Sequence, residues 1–336
     1  MVYFKFEFGF GSGKKKETRA TSDCERVGWD IVNSEVERLK SKGQYKTASN
    51  YLTAARSWSK FLSNEKWSFA DMTASLVEAY QRWLGERGIC PNTISAYMRA
   101  LRALYYRVTT SKGITSDQNH PQVMTKACHK LPFEKVFTGR AKTQKRSVTA
   151  EEILRLNHLA LPEGSYLSLT RDIFMFSFYA MGMPFVDIAH LKKKQVKADV
   201  IHYARHKTGQ PIRVLIMPPM RKMMERYDNP QSEYVFPILA EAQSGEDLHR
   251  CYRNSLRRYN YSLHRLSHLL GLSRPLSSYV VRHSWASIAY QHHVDVGLIG
   301  KALGHTKTST TLLYIRSLFD PDLADANQSL MQALGF

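Results

Sequence analysis

The run SSYVVRHSWASIA, residues 277–289, sets Arg282 and His283 side by side in an otherwise apolar, helix-like stretch. A guanidinium out of water requires a negative partner, because an unpaired buried charge is expensive. Downstream, LGHTKTSTTLLYIRSL carries His305 and Tyr314, 23 and 32 residues after Arg282. Taken singly, a Tyr on an apolar helix is a core residue and a His after Leu-Gly is a turn residue. Together they put a phenol, an imidazole and a guanidinium in one short segment. Two partners suit Arg282: a core carboxylate, or a phosphate, whose oxygens a planar guanidinium meets two at a time.

The charge balance favours the phosphate. Forty-eight Lys and Arg against 29 Asp and Glu give a formal net charge of +19 and a sequence pI near 9.7. Such a surplus predicts a polyanionic partner, and Lys and Arg spread along the whole chain point to nucleic acid. An anionic membrane would instead favour one concentrated basic amphipathic helix. No run approaches the roughly 20 apolar residues that span a bilayer. The first twenty residues, MVYFKFEFGFGSGKKKETRA, lack the pattern of a signal peptide and are expected to be a short strand or an expression remnant. Cys24, Cys90, Cys128 and Cys251 show no metal-ligand spacing, which argues against structural zinc and a disulfide framework and fits a reducing cytosol.

The pattern RHSW…LGH…TT…Y resembles the C-terminal signature of the tyrosine recombinase (phage integrase) family. The forms SSYVVRHSW and FSFYAMGMPFVDIAHLKK are similar to integrases of Bacteroides-type mobile elements. The resemblance spans roughly residues 30–320, by motif in the second half and by pattern in the first. It implies a site-specific DNA recombinase that integrates, excises or inverts a DNA element through a covalent 3′-phosphotyrosine. Tyr314 would be the nucleophile, and Arg282 would stabilise charge growing on the phosphate. His305 would hydrogen-bond that phosphate, and Lys207, before a Thr-Gly turn, would protonate the leaving 5′-oxygen. No metal or other cofactor is implied. The partners implied are double-stranded recombination sites and a homo-tetramer on paired sites, joined through the C-terminal tail, in the bacterial cytoplasm at the nucleoid. A DNA-binding protein of the same fold with impaired cleavage, and a type IB topoisomerase-like enzyme, are the alternatives.

Two positions depart from the family pattern. Tyr279 stands where a His usually precedes the second Arg by three residues, and a phenol is a poorer base at neutral pH. The first Arg should fall near YAMGMPFVD, where Met181 or Pro184 stands. Arg171 and Arg205 are the substitutes available, the latter sharing a strand face with Lys207, since alternate residues point the same way. Asp187 matches a structural acid of the family, and His283 points about 100° away from Arg282 on a helix.

These residues need elements to position them. The fold class expected is mainly α with a small β-hairpin or sheet (α+β), forming a two-domain C-shaped clamp on DNA. An N-terminal extension (1–29) precedes a helical core-binding, SAM-like domain (30–118). A linker (119–146) leads to a catalytic domain (147–319) and a tail helix (320–336). Ala48, Tyr51, Leu52, Ala55, Trp58 and Leu62 recur at helical spacing, as do Ile94, Tyr97, Leu101, Leu104 and Tyr105 after a candidate N-cap, Asn92. Thr149 and Glu152 form a capping box. The alternation in VIHYARHKTGQPIRVLIMP predicts a hairpin turning at Thr208–Pro211. Leu323, Ala326, Leu330 and Leu334 give the tail an apolar stripe.

Overall fold

Apolar residues at helical spacing close two separate cores. The computed structural model describes residues 27–110, 132–141, 147–239, 245–315, 328 and 331–332. The chain divides into two compact units, residues 1–142 and 143–336.

The first unit contains α1 (Gly28–Ser41), α2 (Tyr45–Leu62), α3 (Ala74–Glu86) and α4 (Pro91–Thr110). In α2 the stripe buries Ala48, Ala55 and Trp58, with Tyr51, Leu52 and Leu62 packed at its margin. Leu101 and Leu104 of α4 are wholly buried in the same core. Trp58 meets Tyr80 edge-on, ring centroids 5.0 Å apart, the arrangement aromatic quadrupoles favour.

Gly28 starts α1 against the buried Trp67: its N–H donates to the Trp67 carbonyl at 2.6 Å, and an added Cβ would lie 2.3 Å from the indole. The indole is enclosed and has nowhere to move. Gly28→Ala is therefore expected to destabilise this unit by about 1–3 kcal/mol, read as a lower thermal midpoint. An unchanged midpoint would contradict that packing.

Asn92 is not the N-cap of α4. Pro91 takes the first helical position, where its missing N–H costs nothing. The Asn92 side chain instead accepts from the Ala141 N–H at 2.9 Å and donates to the Ala141 carbonyl at 3.2 Å. Ser95 likewise donates to the Gly139 carbonyl at 2.6 Å, and Phe133 and Val136 enter the core. Residues 132–141, in the stretch expected as a linker, thus pack onto the helical unit.

The second unit opens with α5 (Ala150–Asn157), whose capping box forms as expected: Thr149 accepts from the Glu152 N–H, and Glu152 accepts from the Thr149 N–H. The helix α6 (Tyr166–Tyr179) is apolar on most faces and runs through the core. A sharp break at Ala180–Pro184, with Met181 and Gly182 both at positive φ, separates it from α7 (Phe185–Ala189). The strands β1 (Val196–Lys197), β2 (Val200–Ala204) and β3 (Pro211–Leu215) form an antiparallel sheet in sequence order. Pairing of Ile201 with Val214 and Tyr203 with Ile212 turns those four side chains into the core. The hairpin was expected, and the two-residue β1 extends it to three strands.

Then follow α8 (Pro218–Arg226), α9 (Gly245–Leu269), α10 (Val280–Gln291), α11 (Val296–Ala302) and α12 (Thr308–Ile315). Tyr259 of α9 stacks on Phe185 at 4.3 Å, tying α7 to the long helix. Ala286, Ile299 and Leu303 make a smaller cluster that seats α11 on α10. The N-terminal stretch expected as a strand and the apolar stripe of the tail lie outside the described residues; residues 328, 331 and 332 are helical.

Candidate active site

Arg282 sits in the first turn of α10 and is 1% exposed. Its Nη1 donates to the Gly182 carbonyl at 3.0 Å, and its Nη2 donates to the Leu303 carbonyl and lies 3.3 Å from Nε2 of His305. One guanidinium thus joins the break after α6, the end of α11 and the loop leading to α12. Gly182 is required at this junction: its φ is +72°, and an added Cβ would lie 3.1 Å from Cα of Arg282.

The Leu-Gly-His segment has a distinct backbone function. The helix α11 ends in a left-handed Gly304, with the Gly304 N–H bonded to the Lys301 carbonyl and the His305 N–H to the Gly300 carbonyl. This closure satisfies carbonyls of the last turn but leaves that of Leu303 pointing outward. Two guanidinium groups meet there: Arg282 Nη2, and Arg205 Nη1 at 2.7 Å. An added Cβ at Gly304 would lie 2.6 Å from Cδ of Arg205, so the glycine also gives that side chain passage.

His305 follows directly. Its Nδ1 lies 2.9 Å from Oγ1 of the buried Thr311 in α12. An Arg side chain only donates, so Nε2 accepts and Nδ1 carries the proton toward Thr311. Burial first, then the charges of Arg282, Arg205 and Lys207, push the imidazole down to about 4 from 6.5. It is neutral at physiological pH.

That depression has a sign for stability. The unfolded chain takes up the proton as pH falls through 6.5, whereas the folded protein resists until about 4. His305 therefore costs no stability above that window, costs progressively more within it, and the loss levels off below it. The thermal midpoint of the DNA-free protein should fall more steeply from pH 6.5 to 4 in the wild type than in His305→Gln. Parallel curves would remove His305 from this role.

The remaining candidates are distributed around this centre. Lys207 lies in the tight turn after β2, exposed, and near enough for its charge to depress His305. It does not share a strand face with Arg205. The strand β2 stops at Ala204, and the Arg205 N–H bonds to the Gln210 carbonyl while the Gly209 N–H bonds back to the Arg205 carbonyl. Strand alternation ends with the ladder, so Arg205 turns inward and Lys207 outward. Tyr279 immediately precedes α10, 39% exposed, its ring centroid 5.6 Å from that of His283. Residue 314 lies on α12 one turn beyond Thr311; its side chain is outside the described residues. The helix carrying it is thereby linked to His305 through Thr311.

Arg171 belongs to another network. It pairs with Asp172 at 2.9 Å and donates to the Leu159 carbonyl at 2.7 Å, while Arg226 and Tyr227 also hold Asp172. Asp187, in α7, accepts from the His206 N–H at 2.8 Å and lies 3.5 Å from Nε of Arg205. The sequence reading gave no role to Gly182 or the Leu303 carbonyl, and it held Thr311 only as part of the TT in the signature. The left-handed glycines were the one signal that could have marked two of these places. Among the described residues no cluster of three or more His, Cys, Asp or Glu could hold a metal ion.

The chain is a helical unit followed by a mixed unit, and in the second of them two buried arginines share the carbonyl before a Gly-His pair, a concentration of positive charge suited to an anion. Residues 146–320 match the phage integrase family and residues 29–126 the phage integrase SAM-like domain, and the chain belongs to that family, the tyrosine recombinases. Tyrosine recombinase XerC of Roseiflexus sp. (strain RS-1) is 22% identical over 273 residues, covering 80% of this chain and 82% of its own. Tyrosine recombinase XerD of Caulobacter vibrioides is 24% identical over 291 residues, covering 83% and 87%. The fold is similar to that of a lambda integrase dimer bound to a COC′ core site, with a TM-score of 0.58, 15% identity, and coverage of 89% of this chain and 81% of that one. It is also similar to the Tn1549 transposon integrase in complex with transposon right end DNA, with a TM-score of 0.55, 12% identity, and coverage of 92% and 100%.

Proposed function

We propose that this tyrosine recombinase breaks and rejoins duplex DNA at a site organised by Arg282, His305, Lys207, Tyr279 and Tyr314. Arg282 carries the reading. It is a buried guanidinium in contact with a neutral His, at the entrance of the helix that bears residue 314. The Tyr314 oxygen attacks the scissile phosphorus and passes its proton to solvent water as the bond from phosphorus to the 5′-oxygen breaks, forming a 3′-phosphotyrosine. The 5′-oxygen leaves with a proton supplied by the exposed Lys207. Reversal with a new 5′-hydroxyl rejoins the strand, so phosphodiester energy is conserved without any nucleotide. Arg282 meets charge developing on the non-bridging oxygens, where a preorganised donor contributes most. The arriving phosphate also raises the proton affinity of His305, allowing it to donate. Tyr279, at the rim, hydrogen-bonds the phosphate rather than acting as a base.

The natural substrate is a pair of recombination sites, with four protomers exchanging C-terminal tails. A lambda integrase tetramer bound to a Holliday junction, with a TM-score of 0.57 and 15% identity to this chain, supports the number of protomers. The setting is the bacterial cytoplasm at the nucleoid; among the described residues no helix is long and apolar enough to cross a membrane. The family match favours neither the impaired DNA-binding protein nor the topoisomerase alternative. A nicked suicide substrate tests the reading: a detergent-stable protein–DNA adduct is expected, and its absence on a bound cognate site would refute it.

A further inference from the structure

We propose that Arg205 supplies the second guanidinium on the scissile phosphate, replacing the arginine that the family pattern places where Met181 or Pro184 stands here. The proposal rests on the cleavage reading above. Its basis is the shared carbonyl: Arg205 Nη1 and Arg282 Nη2 both donate to Leu303, which holds the two cations side by side two residues before His305. The break that carries Met181 reaches the same centre, because the next residue, Gly182, accepts from Arg282. The missing cation and its substitute thus lie around one guanidinium, approached from different elements.

Several features keep Arg205 there. Asp187 lies 3.5 Å from its Nε and also accepts from the His206 N–H, which fixes both the side chain and the turn that carries it. Gly304 is the only residue type that allows its aliphatic stem to pass. Nη1 is hydrogen-bonded to Leu303, while Nε faces Asp187 as an ion pair without a hydrogen bond. Burial does not set the two arginines apart: Arg205 is 6% exposed and Arg282 still less. Arg171, the other substitute available from sequence, is committed to Asp172 and the Leu159 carbonyl.

A buried ion pair with Asp187 that merely braces the turn is the competing explanation. A neutral methylphosphonate at the scissile position separates the two. Removing one negative charge from the substrate makes a cation that neutralises it dispensable, whereas a brace is needed equally for either substrate. Strand cleavage by wild type, Arg205→Ala and Arg205→Lys is measured on phosphate and methylphosphonate suicide substrates, at saturating protein. Thermal melting and binding of an intact site report the fold. On phosphate Arg205→Ala should cleave roughly 100-fold more slowly than wild type. On methylphosphonate it should come within a few-fold. Arg205→Lys keeps the charge beside Asp187 and carries the test if the alanine variant does not fold; it should show a smaller loss with the same substrate dependence. Equal losses on the two substrates, or no loss on phosphate, would overturn the proposal. Wild-type cleavage of the phosphate substrate tests the underlying chemistry by itself, so only the variant-to-wild-type ratios bear on Arg205.

Discussion

Tyr314→Phe is expected to bind its DNA site as the wild type does and to form no detergent-stable adduct. The substitution removes one oxygen. No other hydroxyl within the described residues lies on α12 at the family's register from Arg282 and His305, and a lost nucleophile leaves no slower route to the same covalent bond. Binding should persist because it is spread over many phosphate contacts, none of which needs the phenolic oxygen. Denaturing gel analysis of a labelled suicide substrate, beside a gel shift on the intact site, reads both quantities. An adduct from the Phe variant would assign the nucleophile elsewhere.

The second large effect belongs to Arg282. Its replacement by Ala should slow cleavage by ~100-fold, about 3 kcal/mol of transition-state stabilisation if it behaves like other preorganised donors. Site binding should weaken far less, since one phosphate contact among many is lost. The structure adds a consequence for stability. Arg282 donates to the Gly182 and Leu303 carbonyls across the break after α6 and the end of α11. Removing it leaves the Gly182 carbonyl without that donor, while Leu303 keeps Arg205. A buried acceptor deprived of its donor costs roughly 1–3 kcal/mol, so a lower thermal midpoint should accompany the rate loss. Cleavage is therefore compared at temperatures where both proteins are folded. Equal losses in binding and cleavage would contradict a transition-state role.

Such separations depend on which contacts are local and which are distant. The helices of both units were legible because apolar residues at helical spacing state which face is buried, as Trp58 and Leu101 do. The start of α5 was legible to the residue, because a capping box involves four neighbouring positions and nothing else. Asn92 shows where local chemistry falls short. Its side chain suits a cap, but Pro91 already opens the helix and Ala141 offers it two hydrogen bonds.

Arg282 belongs to both categories. A charge within an apolar run announces in the sequence that an anion must be near, whatever the fold. Its actual neighbours are set by segments far apart along the chain: Gly182 is 100 residues away and Leu303 is 21 away. The choice between Arg171 and Arg205 divides the same way. Arg171 has an acid beside it in the sequence, Asp172, and pairs with that neighbour in the structure. Arg205 has no acidic neighbour on either side, and tertiary structure brings it to a carbonyl 98 residues away. Even the opposite orientations of Arg205 and Lys207 follow from where the β2–β3 ladder ends, which is settled by pairing between strands. Periodicity and capping act through neighbours on the chain and so are written in the sequence. The meeting of the two guanidinium groups depends on one backbone carbonyl at the end of α11, and a carbonyl has no residue type to betray it.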